Sequence, residues 1–229
     1  MKRIFLLLAI LFSIGKVTQA QLNASDSLFF QAYEDTINAY SDSLFYSNIE
    51  ANRIYASHAI AKNLTKALKR DNSFQYGFPN LKAISIVQPI DNKFRIFTYQ
   101  LINDNNTYKY LGAVQMNSKN LQLIPLIDRS GMMDDDVTTT VTTANEWYGA
   151  IYYGIHKVKA GNREYYNVFG YDGNNALSTK KVIDVLWFDD NGTIQFGAPI
   201  FNIGKEENQS RYFIEYRKAS RPRLKKINF

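Results

Sequence analysis

Four short stretches of this chain carry residue types that could do chemistry. Asp172-Gly173-Asn174-Asn175 begins like a calcium loop, and Asp189-Asp190-Asn191-Gly192 offers paired carboxylates. Ser178-Thr179-Lys180-Lys181 sets a lysine three residues beyond a serine, and Asp134-Asp135-Asp136 is an acidic run. An EF-hand loop needs glycine at its sixth position and glutamate at its twelfth. Leu177 and Ile183 stand there, so only a looser oxygen-ligand site at Asp172 remains, against a plain turn. Asn-Gly is the strongest short hairpin signal, so Asp189 and Asp190 are expected to decorate a turn. A glycosidase needs two carboxyl groups about 5–10 Å apart across one sugar; Asp172 with Glu146 or Asp189 is the pair to examine. Ser-x-x-Lys is a weak pattern without its Ser-Asp-Asn and Lys-Thr-Gly companions, and Ser178 is expected instead to cap a short helix starting at Thr179. The histidines are His58 and His156, and there is no cysteine. Disulfides, thiolate zinc sites, a cysteine nucleophile and a lipid-modified N-terminal cysteine are excluded together. No catalytic residue, metal site or cofactor is assigned.

The remaining candidate is aromatic. The segment from Glu146 to Phe201 is dense in rings and turn residues, and a hairpin turn at Ala160-Gly161 would set its register. Side chains alternate faces along a strand, which puts Tyr148, Ala150, Tyr152 and His156 beside Tyr165, Asn167, Phe169 and Tyr171. The opposite face would carry Trp147, Ile151, Tyr153 and Ile155 with Tyr166 and Val168. A turn one residue later, at Gly161-Asn162, is expected to change both the cross-strand partners and the co-facing sets. Both faces are aromatic, so the hairpin is expected to be covered on both sides or to line a groove. Rings with hydroxyl handles bind sugars, other amphipathic ligands and protein partners; they are also good strand formers that pair across hairpins. Tyr148, Tyr152, His156, Tyr165, Phe169, Tyr171 and Asp172 are therefore the candidate ligand-binding residues.

The elements that must position them can be read in order. Residues 1–20, MKRIFLLLAILFSIGKVTQA, join a basic start to an apolar run and end in small residues, the pattern of a signal peptide cleaved near Ala20. The mature chain would carry no membrane span and act in the periplasm or outside the cell. Residues 21–72 read as a helical segment. Ser25-Asp26-Ser27-Leu28-Phe29-Phe30 recurs as Ser41-Asp42-Ser43-Leu44-Phe45-Tyr46, an offset that on one straight helix would turn the two Leu-Phe pairs to opposite sides. A break near Ser41, with serine or aspartate capping a new helix, is expected. The first helix would bury Phe29, Tyr33, Ile37 and Tyr40; the next, from about Glu50 to Arg70, would bury Ile54, Ser57, Ile60, Ala61, Leu64 and Leu68, with His58 at the edge. Residues 73–216 form a β-rich core in one domain with the helices. Strands are expected at Lys82–Gln88, Lys93–Asn103, Thr107–Met116 and Leu121–Leu126, joined by short Asn- and Asp-rich turns into an antiparallel meander. Asp128 to Asn145 reads as a loop, either a surface excursion or a cation or partner site. Arg211 to Tyr216 is the last strand.

The formal charge of +6 is misleading. Three cations lie in residues 1–20 and six in the tail over residues 217–229, so Gln21 to Tyr216 nets −3. Nucleic acid is not the expected partner; the tail reads as a solvated end or a contact for anionic envelope material.

FRIFTYQ at Phe94–Gln100, IPLIDRS at Ile124–Ser130, WYGAIYYGI at Trp147–Ile155, FGYDGNNALSTKKVIDVL at Phe169–Leu186 and FGAPIF at Phe196–Phe201 resemble a family of exported proteins from Bacteroidota. The resemblance spans roughly Ser73 to Tyr216. It implies export and fold but no activity, since the family has none established. It also implies a further hairpin after the strand at Tyr212–Tyr216, where this chain has RKASRPRLKKINF; a truncated end, leaving an edge strand without a partner, is the corresponding expectation.

The fold class expected is α+β, with N-terminal helices packed on a largely antiparallel, aromatic-rich β-sheet or open barrel. The function expected is non-catalytic binding of a small ligand or glycan, or interaction with an envelope protein. The alternatives are a carboxylate-dependent glycan hydrolase and a structural partner in an envelope assembly.

Overall fold

The computed structural model describes residues 22–133, 135–204 and 207–220. The expected signal peptide, Asp134 and residues 221–229 of the basic tail lie outside them, as do the side chains of Asp135 and Asp136.

Three helices come first: α1 (Ala24–Ala39), α2 (Ser41–Tyr46) and α3 (Glu50–Leu68). Asn23 caps α1, its Oδ1 accepting from Asp26 N at 2.7 Å. The break before Ser41 is present, but no side chain caps α2. The stripe α1 buries is Asp26, Phe30, Glu34 and Ile37, while Phe29, Tyr33 and Tyr40 are half-buried on its flank. Two carboxylates hold core positions because their acceptor sites are filled. Glu34 accepts from Tyr76 Oη at 2.7 Å and from Asn80 N and Nδ2 at 2.8 and 3.0 Å, and Asp26 pairs with Arg70 at 2.7 Å. In α3 the expected stripe holds at Ser57, Ile60, Leu64 and Leu68; Arg53 joins it and Ile54 turns outward. His58 is exposed.

The meander follows as β1 (Ser85–Val87), β2 (Phe94–Ile102), β3 (Tyr108–Met116) and β4 (Leu123–Ile127), antiparallel and in chain order. A second antiparallel sheet is built from β5 (Thr142–Thr143), β6 (Ile151–Ala160), β7 (Arg163–Asp172), β8 (Ser178–Phe188), β9 (Ile194–Phe196) and β10 (Tyr212–Arg217). Its order is β5-β9-β8-β7-β6, with β10 also pairing β8. Neither sheet closes into a barrel.

The result is three layers, because the strands of the first sheet are apolar on both faces. Phe97, Tyr99 and Leu101 pack on Phe30, Ile37, Ile60 and Leu64 of the helices. Phe94, Ile96, Tyr110 and Val114 pack on Tyr152, Tyr166, Val168 and Leu186 of the second sheet. The fold is α+β, with one apolar cluster on each face of the first sheet.

The β6–β7 turn falls at Gly161-Asn162, Ala160 facing Arg163, one residue later than expected. The cross-strand partners change as expected, with Ile155 opposite Val168 and His156 opposite Asn167, but the co-facing sets near the turn do not, because moving the turn by one residue shifts each partner by two and keeps the alternation. A bulge between Tyr152 and Gly154 then adds a residue to β6, which reverses the alternation and sends Tyr152 to the inner face. The first sheet grips the bulge: Tyr152 N donates to Thr98 Oγ1 at 3.0 Å, and Tyr152 O accepts from Ser85 Oγ at 2.6 Å. Gly170, opposite Tyr152, makes room for the ring, since a Cβ there would lie 2.5 Å from Val182 Cγ1 and 3.2 Å from Tyr152 Cδ1. Ser178 opens a strand, not a helix, so Ser178 and Lys181 point to opposite faces.

Much of the stretch from Asp128 to Asn145 is fastened down. The backbone N–H groups of Ser210 and Arg211 donate to Thr138 O, and Ser210 Oγ donates to Thr139 O at 2.7 Å. The Arg211 guanidinium donates to Val137 O, Thr140 O and Thr142 Oγ1 at 2.8, 3.0 and 2.9 Å.

Candidate functional site

Where β3 begins and β7 ends, the two sheets border an open cavity of about 800 Å³. Strand alternation sends Tyr108 and Tyr110, two residues apart, to the face that meets the second sheet. Asp172 ends β7 on the same inner side as Tyr166, Val168 and Gly170. Tyr148 arrives from the segment before β6. All three elements are needed, and none is close to another in sequence.

The centre of the arrangement is the Asp172 carboxylate, which is buried. Tyr110 Oη donates to its Oδ1 at 2.8 Å, Tyr148 Oη to its Oδ2 at 2.5 Å, and Asn174 N to Oδ1 at 2.7 Å. Gly173 N in turn donates to Tyr110 Oη at 2.7 Å. Burial, and then the Asp172 charge, push both phenol pKa values far above their ordinary value. Both tyrosines therefore stay protonated donors at any physiological pH. Asp128 is a second anchor, accepting from Tyr110 N at 2.8 Å and from Ser130 N and Oγ at 2.9 and 2.7 Å.

Tyr108, Ser130, Asn174 and Lys180 complete the wall. Among the described residues Lys180 has no ion-pair partner. The Tyr108 ring lies against Gly173, where any Cβ would collide with it, and Lys218 Nζ donates to Tyr108 Oη at 3.0 Å. Tyr108 also walls a smaller neighbouring hollow of about 470 Å³, shared with Tyr171, Lys181 and Tyr216.

This geometry suits holding rather than proton transfer. Each oxygen of Asp172 and of Asp128 already accepts at least one hydrogen bond, so these carboxylates position tyrosines and a turn. Asp189 is occupied in the same manner, accepting from Asn191 N and Thr193 N at 3.0 and 2.8 Å and from Gln195 Nε2 at 3.1 Å. The Thr193 N–H contributes most to holding its pKa below the usual carboxylate range. Asp172 pairs with Lys180 near the start of β8, and Asp189 lies just past the end of that strand. The strand's rise separates them by roughly 25–30 Å, too far to flank one sugar. Glu146 is exposed on the turn before Trp147. The pairing of Asp172 with Asp189 is thus corrected.

The seven sequence-predicted residues divide between two faces of the second sheet. Tyr148 and Asp172 are brought together at the cavity. Tyr152 is inner but elsewhere, fully buried, its Oη accepting from Trp147 Nε1 at 2.7 Å and facing Asp184 Oδ2 at 3.3 Å. His156, Tyr165, Phe169 and Tyr171 lie half-buried on the outer face, Tyr165 edge-on to Trp187 and Tyr171 5.1 Å from Lys181 Nζ. The expected single aromatic face fails because of the bulge at Tyr152. Tyr108, Tyr110, Ser130 and Lys180 were not foreseen; the one local signal was the Tyr-x-Tyr spacing at the start of β3. Among the described residues no three His, Asp or Glu side chains come together as metal ligands. No protein family, curated protein or solved structure matches the chain.

Proposed function

We propose that the protein is an exported, non-catalytic binding module that takes a small polar ligand, best fitted by an oligosaccharide, into the cavity around Tyr108, Tyr110 and Tyr148. The observation that carries this reading is the pair of phenols immobilised by the buried Asp172. Walls that are already fixed lose little freedom on binding, and the half-buried Tyr108 beside them offers an apolar face next to a polar edge, as a sugar does. Asn174, Ser130 and Lys180 supply further polar groups on the wall. Export rests on the basic-apolar-small pattern of residues 1–20 and on the resemblance to exported Bacteroidota proteins; no helix among the described residues is long and apolar enough to cross a membrane.

Thermal melts against a panel of oligosaccharides test it. A bound ligand at a hundred times its dissociation constant adds about 2.7 kcal/mol, a rise of a few degrees for a domain of this size. Tyr108→Ala combined with Lys180→Ala should remove that rise while the ligand-free melt stays cooperative. A rise that survives this variant, or no rise with any sugar, sinks the proposal.

A second reading, contact with an envelope protein, has its own support in Tyr165, Phe169 and Tyr171, which leave a half-exposed aromatic surface on the outer face. Its test is whether Tyr165→Ser with Phe169→Ser releases a partner that co-purifies with the wild type.

A further inference from the structure

The helix layer does not cover the first sheet evenly. α2 and α3 pack on β2, and Lys109, Leu111 and Ala113 of β3 with Leu123, Pro125 and Ile127 of β4 on that side are left half-buried or exposed. Between them and α3 runs a groove of about 410 Å³. Its floor is set by register: Leu111 faces Ile127 and Ala113 faces Pro125 across the β3–β4 ladder. Ala61 and Leu64 of α3 form its wall. Lys109 and Arg129, each two residues beyond the last ladder pair of Leu111 with Ile127, both line the groove at that end. Neither makes an ion pair among the described residues. Among the described residues Asp128 is the one acid lining the groove, and its carboxylate is already taken by Tyr110 N and Ser130.

An apolar trough ending in two exposed cations is complementary to one chemistry. We propose that this groove binds a single-chain amphiphile with an anionic head, the acyl tail lying along Leu111, Ala113 and Ile127 and the carboxylate meeting Lys109 and Arg129. Ala113 lies about 14 Å from Lys109 by strand rise, the reach of a medium-length acyl tail. Each buried methylene favours binding through the hydrophobic effect, and the charge-assisted hydrogen bonds fix direction. This site shares only Tyr110 with the lining of the tyrosine-walled cavity and does not depend on the reading given to it.

Calorimetric titration of the full chain with dodecanoate, below its micelle concentration, and with the neutral isostere dodecanol tests the proposal. Dodecanoate should bind one per chain. Lys109→Ser with Arg129→Ser, both exposed positions, should weaken it about tenfold or more while leaving dodecanol unchanged. Ala113→Trp, which fills the floor, should abolish binding of both, with a cooperative melt showing that the fold persists. The proposal is overturned if dodecanoate does not bind, if the double variant binds it as tightly as the wild type, or if binding survives Ala113→Trp.

Discussion

Among the described residues two arginines are fully buried, one on each side of the first sheet, and they are kept in opposite ways. Arg95, on the helix side, donates to Tyr76 O, Ser73 O and Gln115 Oε1 at 2.6, 2.7 and 2.8 Å. The rings of Phe97, Phe78 and Phe74 lie 4.8, 5.2 and 5.3 Å from its guanidinium carbon. No carboxylate pairs with it among the described residues. Burial pulls its pKa down to about 9, which leaves it charged at neutral pH. Arg211, on the sheet–sheet side, meets the buried Asp184 at 2.9 Å while its other nitrogens hold Val137, Thr140, Thr142 and Phe196. Burial raises the Asp184 pKa and Arg211 opposes that rise. A cation can thus be stabilised by neutral dipoles and ring faces, or by a counterion that is itself desolvated. Only the second arrangement leaves a stranded charge when one member is lost.

The largest expected effect follows from that difference. Arg211→Met leaves Asp184 buried without its partner and releases the Val137–Thr142 backbone, at a cost of about 3–5 kcal/mol, read as a lowered midpoint in urea unfolding. Adding Asp184→Leu should recover most of it, and failure to recover would show that the loop contacts, not the charge, dominate. Arg95→Met removes a charge without stranding another. Its cost is that of leaving Tyr76 O and Gln115 Oε1 without the donors they had, about 2 kcal/mol, measured in the same way. A loss as large as that of Arg211→Met would erase the contrast.

The smallest expected effect is a change of slope with pH. Tyr99, on the helix side, donates to Ser57 O at 2.9 Å, and burial raises its pKa. A folded-state pKa above the unfolded value means that its contribution is complete below about pH 10 and is lost as pH rises further. Tyr110, Tyr148 and Tyr152 behave alike on the other side of the sheet. Stability should therefore fall above about pH 10, and Tyr99→Phe should make that fall shallower by about 1.4 kcal/mol per pH unit. Denaturant midpoints taken across that range measure it, and an unchanged slope would mean that Tyr99 does not titrate with unfolding.

Elements defined by short-range pattern were legible. The alternating runs at Phe94–Ile102 and Tyr108–Met116, the Asn-rich turns between them and the break before Ser41 follow from local sterics and periodicity, and they are where expected. Positions decided by distant partners were not. Glu34 reads as a solvent residue until Tyr76 and Asn80 fill its oxygens. Ser178 reads as a helix cap until β7 and β10 pair with the residues that follow it. The candidate site was half legible: Asp172 and Tyr148 stood out as chemistry, whereas Tyr108, Tyr110 and Lys180 looked like ordinary strand residues.

By itself the sequence determined the class of the fold, its helix-then-meander order and its lack of cysteine chemistry, because each depends on composition or on spacing within one segment. Which tyrosines share a surface was decided by tertiary structure. One extra residue at Tyr153 turns Tyr152 inward, and that bulge is held by Ser85 and Thr98, residues of another sheet whose approach no local pattern encodes.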